Sequence, residues 1–326
     1  MKKITYIFLL VIGIASTSCM TVFDPDFDKT PVIYLESFPG MNADKVLFSI
    51  EPGYSRSNTA EVIPFDPEII FEVNGNVFPV ECIDVEEGRY VSAYEPVPGD
   101  KLSISVSSKG FTSIFAQTTI PEPFPERKID YRQVQSGIKE YDNVVYVTFS
   151  GAKPKLHYGM YFLYEKIVNT EPEPYVRTDM YSGWVYPDPS DYGPTYLDAI
   201  SLYQDGVNFL AWDGNRIDSQ SCTLSVEPGS LSYETIGEQE EYDDYGNFIG
   251  NVSYVSHTKI MLMSMTDEFY KYQVAQSHEA DYSGLIGVIA PSSYCYSNID
   301  NGYGAFAGVT IVGTDWITEE FIENNR

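Results

Sequence analysis

Apolar and polar residues alternate with a period of two along much of this chain, the pattern of strands with one buried face. Leu102, Ile104 and Val106 interleave with Ser103, Ser105 and Ser107. Asn74-Gly75 separates the runs Glu68–Val73 and Asn76–Cys82, and because both residues tolerate positive φ this pair predicts a tight hairpin. Pro98-Gly99-Asp100 predicts a second turn. No helical periodicity of useful length occurs between Pro31 and Ile120, so short strands and frequent turns predict an immunoglobulin-like β-sandwich there.

Ile120-Pro-Glu-Pro-Phe-Pro125 marks a boundary, since prolines at alternate positions cannot sit inside a sheet and favour a stiff extended linker. Beyond it, Val145, Val147 and Phe149 face one way, and Val144, Tyr146 and Thr148 the other. Tyr158 to Ile167 is apolar on both faces, as expected of a central strand. Asn169 to Tyr196 is rich in Pro, Asp and Tyr and is expected to form a long surface insertion. Asp244-Tyr245-Gly246 predicts another hairpin, and Lys259–Ser264 and Val309–Val312 further strands. The clearest helix runs from Asp267 to about Glu279, with Thr266 as cap and Asp267 and Glu268 suited to its positive end. The fold class is therefore mostly β: an N-terminal immunoglobulin-like β-sandwich, then a second β-rich domain with one packed helix.

The first residues carry a different pattern. Lys2 and Lys3 precede an apolar run, Ile4 to Ala15, followed by small residues and Cys19. The run is too short to cross a bilayer core and has the form of a secretory signal. Cys19 in this place resembles the lipidated cysteine of a bacterial lipobox, although Ser16 stands where Leu is usual. An ordinary signal cut nearby is the alternative. Several acyl chains on Cys19 would anchor the protein firmly, because each buried methylene adds about 0.8 kcal/mol. The expected organisation is a signal over residues 1–18, an acidic tether over 19–30, the β-sandwich domain over 31–120, a Pro-rich linker over 121–125 and the second domain over 126–326.

The 326 residues suffice for two domains with cores of their own. A net charge of −27 argues against nucleic acid or anionic lipid headgroups as partners and suits a solvated surface protein. Aromatic residues at 15 % agree with β-rich structure. After Cys19 the cysteines are Cys82, Cys222 and Cys295, an odd count that cannot complete a disulfide framework. A Cys222–Cys295 bridge and three buried free thiols both stay open.

Candidate chemistry is sparse. Asp24, Asp26 and Asp28 have the spacing of a calcium loop but lack its glycine and closing Glu, and Asp213–Asp218 is a turn with spare carboxylates. His157, His257 and His278 are far apart in sequence and have no metal spacing, and His278 is expected on the exposed face of the helix. No P-loop, dinucleotide fingerprint or nucleophile elbow occurs. No catalytic residue, metal or cofactor is therefore expected, and a hydrolase would need a convergent carboxylate pair. The best candidate for binding is the insertion holding Tyr175, Tyr181, Trp184, Tyr186, Tyr192 and Tyr196, since exposed rings can stack on sugars or anchor a protein. Folding of these rings over their own sheet edge is the competing reading.

Three segments carry a family resemblance: Thr119-Ile120-Pro121, Met265-Thr-Asp-Glu-Phe-Tyr-Lys-Tyr272 and Ser297-Asn-Ile-Asp-Asn-Gly-Tyr-Gly-Ala-Phe306. In order and spacing the chain resembles the domain of unknown function 4249 lipoproteins of Bacteroidota. Asn298, Asn301, Gly302, Gly304 and Phe306 are expected to form a structural motif, with the glycines allowing close backbone approach. The resemblance implies a lipid-anchored outer-membrane protein facing the cell exterior, often encoded near TonB-dependent, Sus-type transporters. A binding or accessory module, with a glycan or peptide ligand unspecified, is the expected function. A structural or adhesive envelope protein without a small-molecule site is the alternative.

Overall fold

The computed structural model describes residues 31–53, 64–135, 141–169, 175–181, 184–185, 199–204, 207–217, 222–227, 235–242, 248–282 and 296–317. The protein is mostly β, with several sheets and one helix among the described residues.

The first sandwich packs two sheets face to face. One contains β1 (Val32–Ser37), β2 (Val46–Gly53), β5 (Glu81–Asp84) and β6 (Arg89–Ser92), in the order β1-β2-β6-β5. The other contains β3 (Glu68–Val73), β4 (Asn76–Phe78), β7 (Lys101–Ser107) and β8 (Ile114–Thr119), in the order β4-β3-β7-β8. Ile33 and Leu35, Phe48 and Ile50, Phe71, and Leu102, Ile104 and Val106 fill the space between them. Each such buried side chain contributes roughly 1.5–3 kcal/mol.

Asn74 (φ 51°) and Gly75 (φ 80°) form the expected hairpin turn, and Asn74 Nδ2 donates to Asp100 Oδ1 at 2.8 Å, tying it to the Pro98–Asp100 turn. The hairpin's second arm is shorter than Asn76–Cys82 suggested. It stops at Phe78, because Pro79 has no N–H for the ladder, and Glu81 and Cys82 pair with Val91 and Tyr90 in the opposite sheet.

The second unit also has two layers. A four-stranded sheet joins β9 (Arg127–Gln135), β10 (Tyr141–Phe149), β13 (Trp184–Val185) and β16 (Cys222–Glu227) in the order β13-β16-β10-β9. It faces a seven-stranded sheet built on the long pair β11 (Leu156–Val168) and β18 (Phe248–Thr266). On its free side β11 takes β15 (Val207–Trp212) and then β12 (Tyr175–Tyr181), while β14 (Ala199–Gln204) pairs with β15. On its own free side β18 takes β17 (Thr235–Tyr242) and then β20 (Val309–Gly313).

The two apolar faces of β11 explain its sequence. Tyr158, Met160 and Phe162 enter the core between the layers, whereas Tyr161 enters a further core on the outer face, beneath the helix. That helix, Asp267–Tyr282, begins where Thr266 Oγ1 accepts the Phe269 N–H at 3.4 Å. It buries Phe269 and Tyr272 against Met263, Met265 and Phe209, and also against Phe38 from the first sandwich, whose ring meets Phe269 edge-on at 5.0 Å.

Two expectations change. The insertion between Asn169 and Tyr196 is not loop throughout: β12 runs along β11, and β13 crosses to pair with β16 in the other layer. Its Pro and Asp content obscured the strand-compatible run Tyr175-Val-Arg-Thr-Asp-Met-Tyr181. The chain also returns to its beginning near the C-terminus. Residues Tyr303–Phe306 form β19, which adds parallel to β1, and Ile299 and Phe306 belong to the first core. The linker is packed at both ends, with Ile120 in the first core and Phe124 in the second.

Candidate functional site

A cleft of about 790 Å³ opens at one end of the first sandwich. Its walls are the end of β2 (Ser49–Pro52), Cys82 of β5, the turn Val85–Gly88, Arg89 and Tyr90 of β6, and the approach to β3 (Phe65–Pro67 and Ile69). Phe65, Ile69 and Val80 are partly buried against the core and give the cleft an apolar floor. Glu51, Asp66, Glu86 and Glu87 supply carboxylates, and Arg89 is the basic residue of the lining. Arg89 Nη2 lies 3.0 Å from Glu87 Oε2, with both side chains more than half exposed, so the pair adds less than about 1 kcal/mol.

The rim is held by its backbone. Asp84 Oδ1 accepts the N–H groups of Glu86 (2.9 Å) and Glu87 (3.1 Å), and Gly88 takes φ 61° with its carbonyl accepting the Ile50 N–H at 2.8 Å. A Cβ on Gly88 would stand 2.4 Å from the Ile50 carbonyl oxygen, which fixes glycine there. Tyr90 is 9 % exposed, and its backbone lies between Phe48 of β2 and Cys82 of β5. Burial raises its phenol pKa above the ordinary value, and the charges of Cys82 and Asp66 add to this. Cys82 is exposed and makes no disulfide, so three buried thiols is not the arrangement; its strand lies at the sheet edge. Cys222 is buried in the second core, and Cys295 lies outside the described residues.

The aromatic candidates are distributed over two layers. Tyr175 pairs with Val168 and Tyr181 with Phe162 at the β11 edge, whereas Trp184 pairs with Glu227 in the opposite sheet. Tyr186, Tyr192 and Tyr196 lie outside the described residues, as does Cys19. Val176 on β12 is 56 % exposed.

Ser297–Phe306 forms a structural clasp. Asn298 Nδ2 donates to the Phe306 carbonyl at 2.8 Å and Asn298 Oδ1 accepts the Phe306 N–H at 3.0 Å, so one side chain stands in for a neighbouring strand. Asn301 takes φ 61° in the turn before Gly302. Gly304 has φ 106°, and a Cβ there would lie 2.0 Å from the Leu35 carbonyl oxygen. The clasp continues between the two units. Ala307 N–H donates to Ser37 O, Val309 N–H to Pro39 O, and Thr310 Oγ1 to Pro121 O at 2.6 Å. Nearby, Tyr272 donates to Glu36 Oε2 at 2.7 Å, Tyr34 donates to the same oxygen at 2.8 Å, and Gln204 Nε2 reaches Glu36 Oε1 at 3.3 Å. Burial, first, and the Glu36 charge raise the pKa of both phenols, so the network works with neutral tyrosines.

His157 is the residue whose setting sequence spacing did not reveal. Its ring is 1 % exposed, stacks on Tyr270 at 4.1 Å, accepts the Gly214 N–H on Nδ1 (3.2 Å) and faces Asp267 Oδ1 through Nε2 (3.1 Å). Nδ1 is therefore the acceptor and Nε2 carries the proton. Burial depresses its pKa despite the hydrogen bond to Asp267 and the charge of Asp213. Asp213 caps the Gly214–Arg216 turn by accepting the Asn215 N–H at 2.9 Å. Among the described residues no group of three or more His, Cys, Asp or Glu is placed to hold a metal ion. The side chain of His278 lies outside the described residues.

These features define a two-sandwich β protein whose halves are interlocked by a returning C-terminal strand, with an open acidic cleft in the first half. The family model described as "Domain of unknown function (DUF4249)" matches residues 21–314, and the chain belongs to that family. No curated protein matches the chain.

Proposed function

We propose that this protein is a lipid-anchored binding or accessory lipoprotein, attached through Cys19 and displayed on the outer face of the outer membrane, where it serves a TonB-dependent, Sus-type transporter. The observation that carries the binding reading is the cleft: a concave, partly apolar site with polar groups turned into it is of the size that ligands occupy, and a passive spacer has no need of one. The signal-like start, the acidic tether and the family resemblance support the location and the transporter.

The test is a pull-down of the intact lipoprotein from gently solubilised outer membranes, with co-purifying proteins identified by mass spectrometry. Recovery of a TonB-dependent barrel in stoichiometric amount is the expected result, and Trp184→Ala then tests the aromatic segment as the contact. Recovery of the lipoprotein alone across several detergents refutes a stable complex. The clasp between the two sandwiches favours a second reading, a rigid envelope spacer. That reading expects neither a ligand in the cleft nor a partner.

A further inference from the structure

We propose that His157 is the sensor of an acid-triggered latch: on taking up a proton its ring exchanges the Gly214 N–H for the Asp213 carboxylate and releases the Gly214–Arg216 turn from β11. The device is independent of what the cleft binds.

Three elements meet at this ring. His157 lies near the start of β11, the helix covers it with Tyr270 and Asp267, and the Gly214–Arg216 turn closes another side. The turn is pressed against the strand, since a Cβ on Gly214 would stand 1.6 Å from the Leu156 carbonyl oxygen. The ring is 1 % exposed, so each nitrogen relies on a protein partner.

In the neutral ring those partners match. Nδ1 accepts the Gly214 N–H at 3.2 Å, and Nε2 gives its proton to Asp267 Oδ1 at 3.1 Å. Protonation turns Nδ1 into a donor that faces another donor, so the Gly214 bond is lost. Asp213 Oδ1 stands 3.4 Å from Nδ1 and is the acceptor within reach. That oxygen already holds the turn, accepting the Asn215 N–H at 2.9 Å and Asn215 Nδ2 at 3.0 Å. Drawing it to Nδ1 weakens the cap in the same step that orphans the Gly214 N–H. A buried donor without an acceptor and a loosened cap both favour the turn detached and hydrated. The helix keeps its hold, because Nε2 donates to Asp267 in either state.

The charges around the ring set the direction. The helix brings Asp267, Tyr270 and Lys271 to it, and the turn brings Asp213, with Arg216 close to Tyr270. Met265, its partner on β18, carries no charge. Burial outweighs the two carboxylates and holds the attached ring below the ordinary 6.5, whereas hydration in the detached state returns it toward that value. The attached turn is therefore favoured in full above 6.5 and progressively less as pH falls below it.

The test is hydrogen exchange of the intact protein followed by mass spectrometry from about pH 7.5 to about pH 5, corrected for the intrinsic pH dependence of amide exchange. Exchange of segment 213–217 is expected to rise about tenfold per unit of pH below 6.5, the response of an opening linked to one proton. Segments 158–168 and 267–276 should stay protected over that range, and His157→Gln should abolish the rise. A flat profile for 213–217 overturns the proposal. So does a rise shared equally by 158–168, which is acid unfolding of the whole unit, or a rise of the same size in His157→Gln. If that variant does not fold, nitrogen NMR of the wild-type ring at neutral pH decides. A bare Nδ1 beside the pH-dependent exchange supports the latch, and a ring with its proton on Nδ1 overturns it.

Discussion

Replacing Asn298 by Ala removes both hydrogen bonds that the side chain makes to Phe306, the donor to the carbonyl at 2.8 Å and the acceptor of the N–H at 3.0 Å. Phe306 is 0 % exposed, so water does not reach the two backbone groups thus orphaned. An unsatisfied buried backbone group costs about 1–3 kcal/mol, which sets the loss for the pair at about 3 kcal/mol after partial relaxation. Because β19 pairs with β1, packs Phe306 in the first core and leads directly into Val309 of the interface core, the loss should be felt by both units. Urea unfolding resolves this: fluorescence follows Trp184, Trp212 and Trp316, all of them in the second unit, and near-UV circular dichroism is dominated by the tyrosines throughout. Both midpoints should fall together. A loss below about 0.5 kcal/mol, the size of an ordinary surface change, would refute the reasoning that Asn298 substitutes for a missing strand. A fall in one midpoint alone would refute the interlock.

Other consequences are tested with the same assay. Gly304→Ala places a Cβ against the Leu35 carbonyl oxygen at a φ of 106° and should cost at least about 2 kcal/mol, whereas Asn301→Gly, at φ 61°, should be neutral or slightly stabilising. His157 has a folded pKa below its ordinary 6.5 because of burial, so its contribution is complete above that value and is lost as pH falls below it; His157→Gln should flatten this limb of a stability–pH curve. Asp100 accepts from Tyr94, from the Val97 N–H (2.9 Å) and from Asn74 (2.8 Å), bonds that outweigh burial and hold its carboxyl below the ordinary 3.8. Its stabilisation is present above 3.8 and is lost at lower pH, so Asp100→Asn should lower stability at neutral pH and reduce the steepness of acid unfolding.

Local rules made much of the fold legible. The alternation of Leu102, Ile104 and Val106 with serines places one face in the core, the Asn74-Gly75 pair makes its turn, and the two-faced apolar run of β11 sits at the centre of its sheet. What could not be read depends on pairings between distant residues. Nothing near Tyr303 announces Tyr34 as its neighbour across the sheet, and Tyr175–Tyr181 is a strand because β11 has a free edge to receive it. The cleft was invisible for the same reason: Glu51, Asp66, Cys82 and Tyr90 converge through the meeting of four segments, with no common spacing in sequence. His157, Asp267 and Gly214 likewise meet across three elements.

The three segments that carry the family resemblance converge on one place. Thr118 Oγ1 accepts the Gly308 N–H at 2.9 Å, beside Thr119–Pro121, and a Cβ on Gly308 would lie 2.3 Å from the Thr119 carbonyl oxygen. Thr266, in the second segment, donates its N–H to the Gly308 carbonyl at 3.1 Å, and Tyr272, which ends that segment, reaches Glu36. The third segment supplies β19 and the Asn298 clasp. What these residues have in common is the joining of two sandwiches, a demand of packing and backbone satisfaction that is met in full by the contacts described. None of them lines the cleft. Recognition of the family is therefore recognition of a joint, and the cleft of the first sandwich lies outside it. Substitutions in the joint should therefore lower the stability of both units, whereas substitutions of exposed residues in the cleft should leave it within about 0.5 kcal/mol.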